Sequence, residues 1–318
     1  MAVIGLDLGG TKLASAVFSE EGDILHRAVF PLEQRSGAEV GALILQSVTD
    51  LLDISGDNNW SVKSIGVSVP GIYYAASGKV WAPNIPGWEE YPLLAELSET
   101  VPETVKVQID SDRACYILGE TWQGSAQGCK NAVFIAFGTG IGAGILMEGN
   151  ILRGAHDIAG ATGWLALDRP FKPGYEAVGC FEYNASGDGI ARVARDFLAE
   201  DAKYTGVLRD KEPQNITSKD VFAAYDTGDA LAKRVLENAI HFWGMGVANF
   251  VSLFNPEMII LGGGVFGPAA QFLDDIRAEA TKWAQPISMK KVRLSVTSLG
   301  SDAGLYGTGQ LALNALKS

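Results

Sequence analysis

Residues 7–12, DLGGTK, break an apolar pattern close to the start of the chain. The apolar run AVIGL precedes the break and LASAVF follows it, so the stretch predicts a tight turn between two strands. A second stretch, AVFIAFGTGIGAGIL at 132–146, repeats the order of strand, glycine turn and strand. Each stretch then passes through a Glu-Gly turn into a strand that begins Ile-Leu. We interpret the two hairpins as copies of one duplicated unit.

The rest of the chain alternates between strand and helix patterns. Apolar runs bounded by Gly, Pro or Asp predict strands, and apolar residues at helical spacing predict helices. The predicted strands cover 61–70, 104–110 and 257–262, and the predicted helices cover 38–53, 111–124, 230–254 and 302–316. This alternation predicts an α/β fold with mixed sheets, and we place a domain boundary near residues 110–120.

The composition limits the class of protein. The chain has 318 residues, 47% of them hydrophobic, which is enough for two domains with apolar cores. Its formal net charge of -12 argues against a nucleic-acid-binding surface, because phosphate backbones require Lys and Arg. Its three cysteines form no CxxC pair, no apolar stretch is long enough to span a membrane, and no signal peptide is recognisable. We therefore expect a soluble cytoplasmic protein without a nucleic-acid or membrane partner.

The glycines of the two turns indicate phosphate binding. Glycine permits a positive φ and lets a ligand come close to the main chain, and successive N–H groups in such a turn can bind an anion. The second turn also has Gly138, Gly140, Gly142 and Gly144 at alternate positions, which leaves one face of a strand without side chains. A tight hairpin without a ligand is the alternative interpretation of either turn alone. A carboxylate at Asp7 is explained if Mg²⁺ lies between it and the phosphates.

Two other phosphate-binding motifs do not fit. A P-loop would need Lys before Thr, whereas the chain has Thr11 before Lys12. The dinucleotide motif GxGxxG is absent from GTGIGAG. Both motifs also require a helix after the turn, and here a strand pattern follows each turn.

Eight motifs in a fixed order resemble the ROK (repressor, open reading frame, kinase) family of sugar kinases. They are DLGGTK, VSVPG, APNIPGW, DSDRACYILGE, FGTGIGAGILMEGNILRGA, GCFEYNASG, IILGGGV and LGSDAGLYGTGQLAL. The resemblance implies two ribonuclease-H-like α/β domains of the actin-like ATPase fold with a cleft between them. Residues 1–115 plus 302–318 would form the N-terminal domain, and 116–301 the larger C-terminal domain. The resemblance also implies ATP and Mg²⁺, transfer of a phosphoryl group to a hexose or hexose derivative, and a homodimer.

The family register assigns roles to individual residues. Asp112 stands at the position of the catalytic carboxylate, which accepts the proton of the attacking sugar hydroxyl. Because Asp112 lies close to a helix start, we expect its pKa to be low. Capping of that helix by Ser111 or Asp112 is the alternative. Asp7 is implied to bind Mg²⁺. The residues implied to bind the phosphates and the nucleotide are Gly9, Gly10, Thr11, Lys12, Gly138, Thr139, Gly140, Gly262, Gly263 and Gly264.

The sugar side departs from the family pattern. The family motif GExGH becomes GATGW, with Ala161 in place of Glu and Trp164 in place of His, and two zinc-binding cysteines become Pro173 and Tyr175. Because Cys180 alone cannot hold a tetrahedral zinc ion, we predict that zinc is absent. The predicted sugar-binding residues are Asn84, Ser111, Asp112, Trp164, Glu182 and, as a replacement for the family His, His156.

These departures leave the substrate and one alternative function open. We expect a sugar that lacks a hydroxyl pattern common to glucose or carries a substituent near C1 or C2. Alternatively, Trp164 belongs to the core and only replaces the zinc site. A repressor of this family carries a DNA-binding segment before the first hairpin, and with Asp7 so early in the chain we expect none. A sugar or nucleotide sensor without turnover is the alternative function, which the retained Asp112 disfavours.

Overall fold

The chain folds into two units, each built around a five-stranded mixed sheet. The computed structural model describes residues 1–317. The strands are β1 (Ala2–Leu8), β2 (Lys12–Ser19), β3 (Ile24–Pro31), β4 (Val62–Val69), β5 (Ile72–Tyr74), β6 (Lys79–Trp81), β7 (Lys106–Ser111), β8 (Ala132–Phe137), β9 (Ile141–Met147), β10 (Asn150–Ile151), β11 (Met258–Gly262) and β12 (Arg293–Val296). The α-helices are α1 (Gly37–Asp57), α2 (Leu93–Thr100), α3 (Asp112–Trp122), α4 (Tyr175–Val178), α5 (Cys180–Ala185), α6 (Gly187–Glu200), α7 (Ser218–Asp226), α8 (Ala230–Phe254), α9 (Leu273–Trp283), α10 (Pro286–Met289) and α11 (Ala303–Ala315).

The two sheets share one strand order. The first runs β3-β2-β1-β4-β7 and the second runs β10-β9-β8-β11-β12. In each, the hairpin strands pair antiparallel, as β1 does with β2 and β8 with β9. The later strands pair parallel, as β4 does with β1 and β11 with β8. This equivalence supports the duplication that the two hairpins indicate in the sequence.

The division into units differs from the predicted domains. The first unit comprises Met1–Cys129, Ile151–Ala159 and the chain from Thr297 onward, and the second comprises Lys130–Asn150 and Gly160–Val296. The predicted boundary at 115/116 therefore moves to 129/130, because α3 packs along α11 inside the first unit. The C-terminal segment of that unit begins at 297 rather than at 302. Residue 318, the last of the predicted domain, lies outside the described residues.

Strand β1 is apolar on both faces because helices cover both. Its even-numbered residues, such as Ile4 and Leu6, pack in one cluster with Val40 and Ile44 of α1. On the opposite face, Val3 packs with Leu305 of α11. Successive side chains of a strand point to opposite faces, and here both faces are buried. The sequence of this central strand is therefore an uninterrupted apolar run.

Helix α11 lies very close to its neighbours because glycines line the contact. A Cβ on Gly66 of β4 would overlap the carbonyl oxygen of Thr308, and a Cβ on Gly307 would overlap that of Cys115. A Cβ on Gly119 of α3 would likewise overlap the carbonyl of Ala303. These side-chain-free contacts let the helix backbone approach the sheet and α3 directly.

Candidate active site

Three polar residues lie in register at one edge of the first sheet. Asp7 of β1 pairs with Ser68 of β4, and Ser68 pairs with Asp110 of β7. The three strands are parallel, so their carboxyl ends meet at this edge. Ser68 and Asp110 are buried, and Asp7 is half-buried. The fold therefore collects two carboxylates and a hydroxyl at the edge where open parallel sheets place their ligands.

Asp112 begins α3 directly beyond this edge. The hydroxyl of Ser111 caps the helix by accepting a hydrogen bond from Ala114 N at 3.3 Å, so the capping role belongs to Ser111. Asp112 Oδ1 accepts from Arg113 N at 2.8 Å, and the Tyr116 hydroxyl donates to Oδ2 at 3.5 Å. Both oxygens of the proposed base are thus oriented from within its own helix.

The electrostatics of the two carboxylates differ from the prediction. Burial raises the pKa of Asp112, which outweighs the lowering by the Arg113 guanidinium and by the hydrogen bonds to its oxygens. The expectation of a low pKa from the helix start is therefore wrong. Burial also raises the pKa of Asp7 to about 6, and the nearby charge of Asp112 adds to the rise. The two carboxylates repel each other, an arrangement that a bound cation would relieve.

The first glycine turn is open above its backbone. Gly9 N donates to Lys12 O at 2.9 Å and closes the turn, and no atom lies within 4 Å of the Cβ position of Gly10. Thr11 and Lys12 are exposed, and the charge of Lys12 lowers the pKa of Asp7. Gly9 and Gly10 do not have a positive φ. Close approach of a ligand, rather than an unusual backbone conformation, is therefore what these glycines allow.

The second unit brings two of the predicted phosphate-binding segments together. Gly138 N donates to Gly140 O at 3.0 Å, and Gly187 N at the start of α6 donates to Gly138 O at 2.8 Å. Gly263 has a φ of 87°, and a Cβ there would lie 2.5 Å from the carbonyl oxygen of Phe137. The turn at 262–264 thus packs against the turn at 138–140. No atom lies within 4 Å of the Cβ positions of Gly138 and Gly264, so both present open backbone.

The predicted sugar-binding residues are divided between the units. In the first unit, Asn84 is exposed in the loop after β6, and His156 is exposed in the segment 151–159. In the second unit, Glu182 of α5 is half-buried, and Trp164 ends a single 3₁₀ turn at Thr162–Trp164. Trp164 is 57% exposed, so the alternative that it belongs to the core is wrong.

Three residues near the carboxylates were not predicted from the sequence. The buried Ser68 hydroxyl has no hydrogen-bond partner of good geometry, although it lies beside Asp7. Arg153 forms an ion pair with Asp110. Tyr116 contacts Asp112. The strand VSV before Pro70 would have revealed Ser68 if its register with β1 had been considered, whereas the Arg153 contact joins residues too distant in sequence for a local pattern.

Among the described residues, no group of three or more His, Cys, Asp or Glu side chains is arranged to hold a metal ion. Cys180 is a buried free thiol, and the absence of zinc stays a prediction. Within residues 1–317, every helix is too short or too polar to cross a lipid bilayer.

Comparison with known proteins identifies close relatives. The sequence model of the ROK family matches residues 3–315. A glucokinase from Halalkalibacterium halodurans is 34% identical over 97% of this chain and 94% of its own. A ROK hexokinase from Thermus thermophilus superimposes with a TM-score of 0.81 at 28% identity, covering 100% of this chain and 99% of the other. A ROK family glucokinase from Streptomyces griseus, solved with glucose and AMPPNP, superimposes with a TM-score of 0.75 at 28% identity. The superposition covers 99% of this chain and 100% of the other. The fold is the predicted two-domain actin-like ATPase fold.

Proposed function

The chain belongs to the ROK family, and from that membership we propose that it is an ATP-dependent kinase acting on a hydroxyl of a hexose or hexose derivative. Sugar kinase activity is supported by relatives of nearly the same length. The observation that carries the proposal is the pair of carboxylates Asp7 and Asp112. They lie close enough for the charge of Asp112 to raise the pKa of Asp7, beside the open glycine turn of the first unit.

Asp112 acts as the general base in this proposal. The sugar hydroxyl oxygen bonds to the γ-phosphorus of ATP while the bond from that phosphorus to the β–γ bridging oxygen breaks, and ADP leaves. The hydroxyl proton passes to Asp112, whose oxygens are oriented by Arg113 N and the Tyr116 hydroxyl. A carboxylate with a raised pKa is a stronger proton acceptor, which suits this role. The open backbone at Gly10, Gly138 and Gly264 would bind phosphate or nucleotide by position.

Asp7 suits a Mg²⁺ ion. Mg²⁺ binds through one or two carboxylates and keeps waters and phosphate oxygens as its other ligands, so it needs no larger cluster of acidic residues. Asp7 supplies the carboxylate, and the Ser68 hydroxyl beside it can accept a hydrogen bond from a coordinated water. When bound, the ion offsets the charge of the phosphates.

The residues at the predicted sugar-binding positions distinguish this chain from the family pattern. Ala161 offers no carboxylate, and the exposed ring of Trp164 offers a flat apolar face in place of an imidazole. We propose a sugar with fewer hydroxyl contacts than glucose or with a substituent near C1 or C2. Three further proposals rest on the sequence: a homodimer, a cytoplasmic location, and no nucleic-acid partner.

The test is ATP consumption by the purified protein with a panel of glucose, mannose and N-acetylhexosamines. We expect sugar-dependent ADP release that Asp112→Ala reduces about 10²–10⁴-fold. Asp53→Asn, at an exposed carboxylate on α1, serves as the matched control and should retain full activity. Equal activity in Asp112→Ala would reject the assigned base. The absence of ADP release with every sugar of the panel would favour the sensor without turnover.

A further inference from the structure

The carboxylate of Glu182 lies against the glycine turn of the second unit. Its Oε2 accepts a hydrogen bond from Ile141 N at 2.7 Å. Ile141 directly follows Gly138–Gly140 and opens β9. That amide is therefore occupied by a side chain of the protein, and Gly138 N is used within the turn, so the amides of Thr139 and Gly140 are the ones left to a ligand.

Two glycines show how closely this carboxylate fits. A Cβ on Gly140 would lie 2.5 Å from Oε2, and a Cβ on Gly163 would lie 2.9 Å from the same oxygen. Side-chain carbons do not approach oxygen so closely without a shift of the structure. Neither glycine has a positive φ, so space for the carboxylate, rather than backbone conformation, is what their missing side chains provide. One oxygen atom thus lies between the turn and the segment that carries Trp164.

The segment at Gly163 is fixed on its other sides as well. A Cβ on Gly163 would lie 3.2 Å from Ile141 O, and a Cβ on Gly179, just before α5, would overlap Gly163 O. Trp164, the next residue, is therefore held at the end of a closely packed turn while its ring stays exposed. A movement of Glu182 would be transmitted to the turn and to Trp164 together.

We propose that Glu182 is a positioning residue for the nucleotide side, joining the turn at 138–140 to the sugar-side segment at 162–164, in addition to its predicted contact with the sugar. This role rests on the proposed kinase function. In it, the sugar-side hydrogen bonds and the phosphate-side amides share one carboxylate, so that binding at one side favours the correct geometry at the other.

Opposing influences act on the Glu182 carboxylate. Burial and the charge of Asp188 raise its pKa, and together they outweigh the lowering by the Ile141 N–H and the Arg192 guanidinium. A hydrogen bond to an ionised acceptor is stronger than one between neutral groups, and a buried N–H that loses its acceptor is costly. The 2.7 Å contact with Ile141 N therefore supports a role for Glu182 in holding the turn.

The test compares nucleotide affinity in the absence of sugar. We would measure the Kd of the full-length protein for AMPPNP with Mg²⁺ by titration calorimetry for the wild type and for Glu182→Ala, Glu182→Gln and Glu182→Asp. Alanine has no acceptor for Ile141 N, and the shorter side chain of aspartate cannot reach it. Glu182→Ala and Glu182→Asp should therefore weaken nucleotide binding roughly tenfold. Glu182→Gln keeps an acceptor oxygen and should recover most of the affinity. Thermal melting identifies any variant that fails to fold, and the Gln and Asp variants then decide the outcome.

Trp164→Ala is the matched control on the sugar side. It should raise the KM for the sugar without changing the Kd for the nucleotide. If Glu182→Ala and Glu182→Asp leave the nucleotide Kd unchanged and alter only the sugar KM, Glu182 is a sugar ligand alone and the inference is overturned. If the wild type shows no sugar-dependent turnover, the proposed function fails, while the nucleotide Kd series still decides the role of Glu182.

Discussion

Tyr116 is the side chain whose effect on Asp112 can be isolated with the smallest change. Its hydroxyl lies one helical turn beyond Asp112 and donates to Oδ2 at 3.5 Å. Tyr116→Phe removes only this oxygen, so Asp112 would keep the Arg113 N contact and lose the contact to Oδ2. We expect kcat to fall about 2- to 10-fold, the effect of one long hydrogen bond, with both KM values unchanged. Steady-state kinetics at neutral pH would show this, and an unchanged kcat would mean that Tyr116 does not orient the base.

Glu257 predicts a pH-dependent contribution to stability. Its carboxylate accepts hydrogen bonds from Lys130 N at 2.8 Å and Asn131 N at 3.0 Å, and these bonds lower its pKa below the ordinary value of 4.5. A lowered pKa stabilises the fold above the unfolded value, and the contribution disappears as the pH falls through the lower, folded value. Glu257→Gln should therefore be less stable than the wild type at pH 7, with the difference shrinking below about pH 4.5.

Urea denaturation at several pH values measures this difference. Glu212→Gln, at an exposed carboxylate in the same unit, is the control and should match the wild type at every pH. A difference for Glu257→Gln that grows towards acid would contradict the assigned sign.

The sequence provides candidates for the site residues, but their environment could not be predicted from it. Asp112 is a candidate from its register before Gly119-Glu120, but the low pKa expected for it is wrong because burial outweighs the local helix start. Trp164 had two open interpretations, and exposure is decided by tertiary packing that a single motif does not contain. The contact between Glu182 and Ile141 joins two motifs whose spacing in sequence says nothing about their distance.

At the scale of elements, strongly periodic segments were predicted well. The helix expected at 230–254 coincides with α8, and the strand expected at 61–70 contains β4. Each has an apolar pattern long enough to decide its own structure. The two glycine hairpins were also correct, because a strand rather than a helix follows each turn.

The glycines of helix α11 should be needed for stability, because they allow its close packing. Gly307→Ala would place a methyl group on the carbonyl oxygen of Cys115, a backbone atom that cannot turn aside. We expect a loss of about 1–3 kcal/mol in the free energy of unfolding. Gly56→Ala is the matched helical control, since no atom lies within 4 Å of its Cβ position, and it should be neutral or stabilising by up to about 1 kcal/mol. Equal effects of the two substitutions in chemical denaturation would reject close packing of α11.

At the scale of the molecule, the repeated sheet was predictable and the limits of the units were not. The two hairpins indicate duplication, and the equal strand orders agree with it. The predicted boundary at 115/116 falls inside α3. Contacts of α3 with α11, far away in the sequence, keep α3 in the first unit. Buried Glu120 adds to this, since it accepts hydrogen bonds from Ser125 N at 2.8 Å and from the Thr297 hydroxyl.

Because the first unit is assembled from distant parts of the chain, removing its last helix should unfold it. Deletion of residues 303–318 would expose the glycine-lined surfaces of β4 and α3 and remove the buried Leu305 and Leu311. Those two side chains alone contribute roughly 3–6 kcal/mol, which is comparable with the total stability of many domains. We expect the cooperative unfolding transition of the first unit to disappear in calorimetry. Any ATP consumption should disappear with it. Deletion of residues 317–318 alone is the control and should leave both unchanged, and a shortened chain that melts like the wild type would show that α11 is dispensable to the first unit.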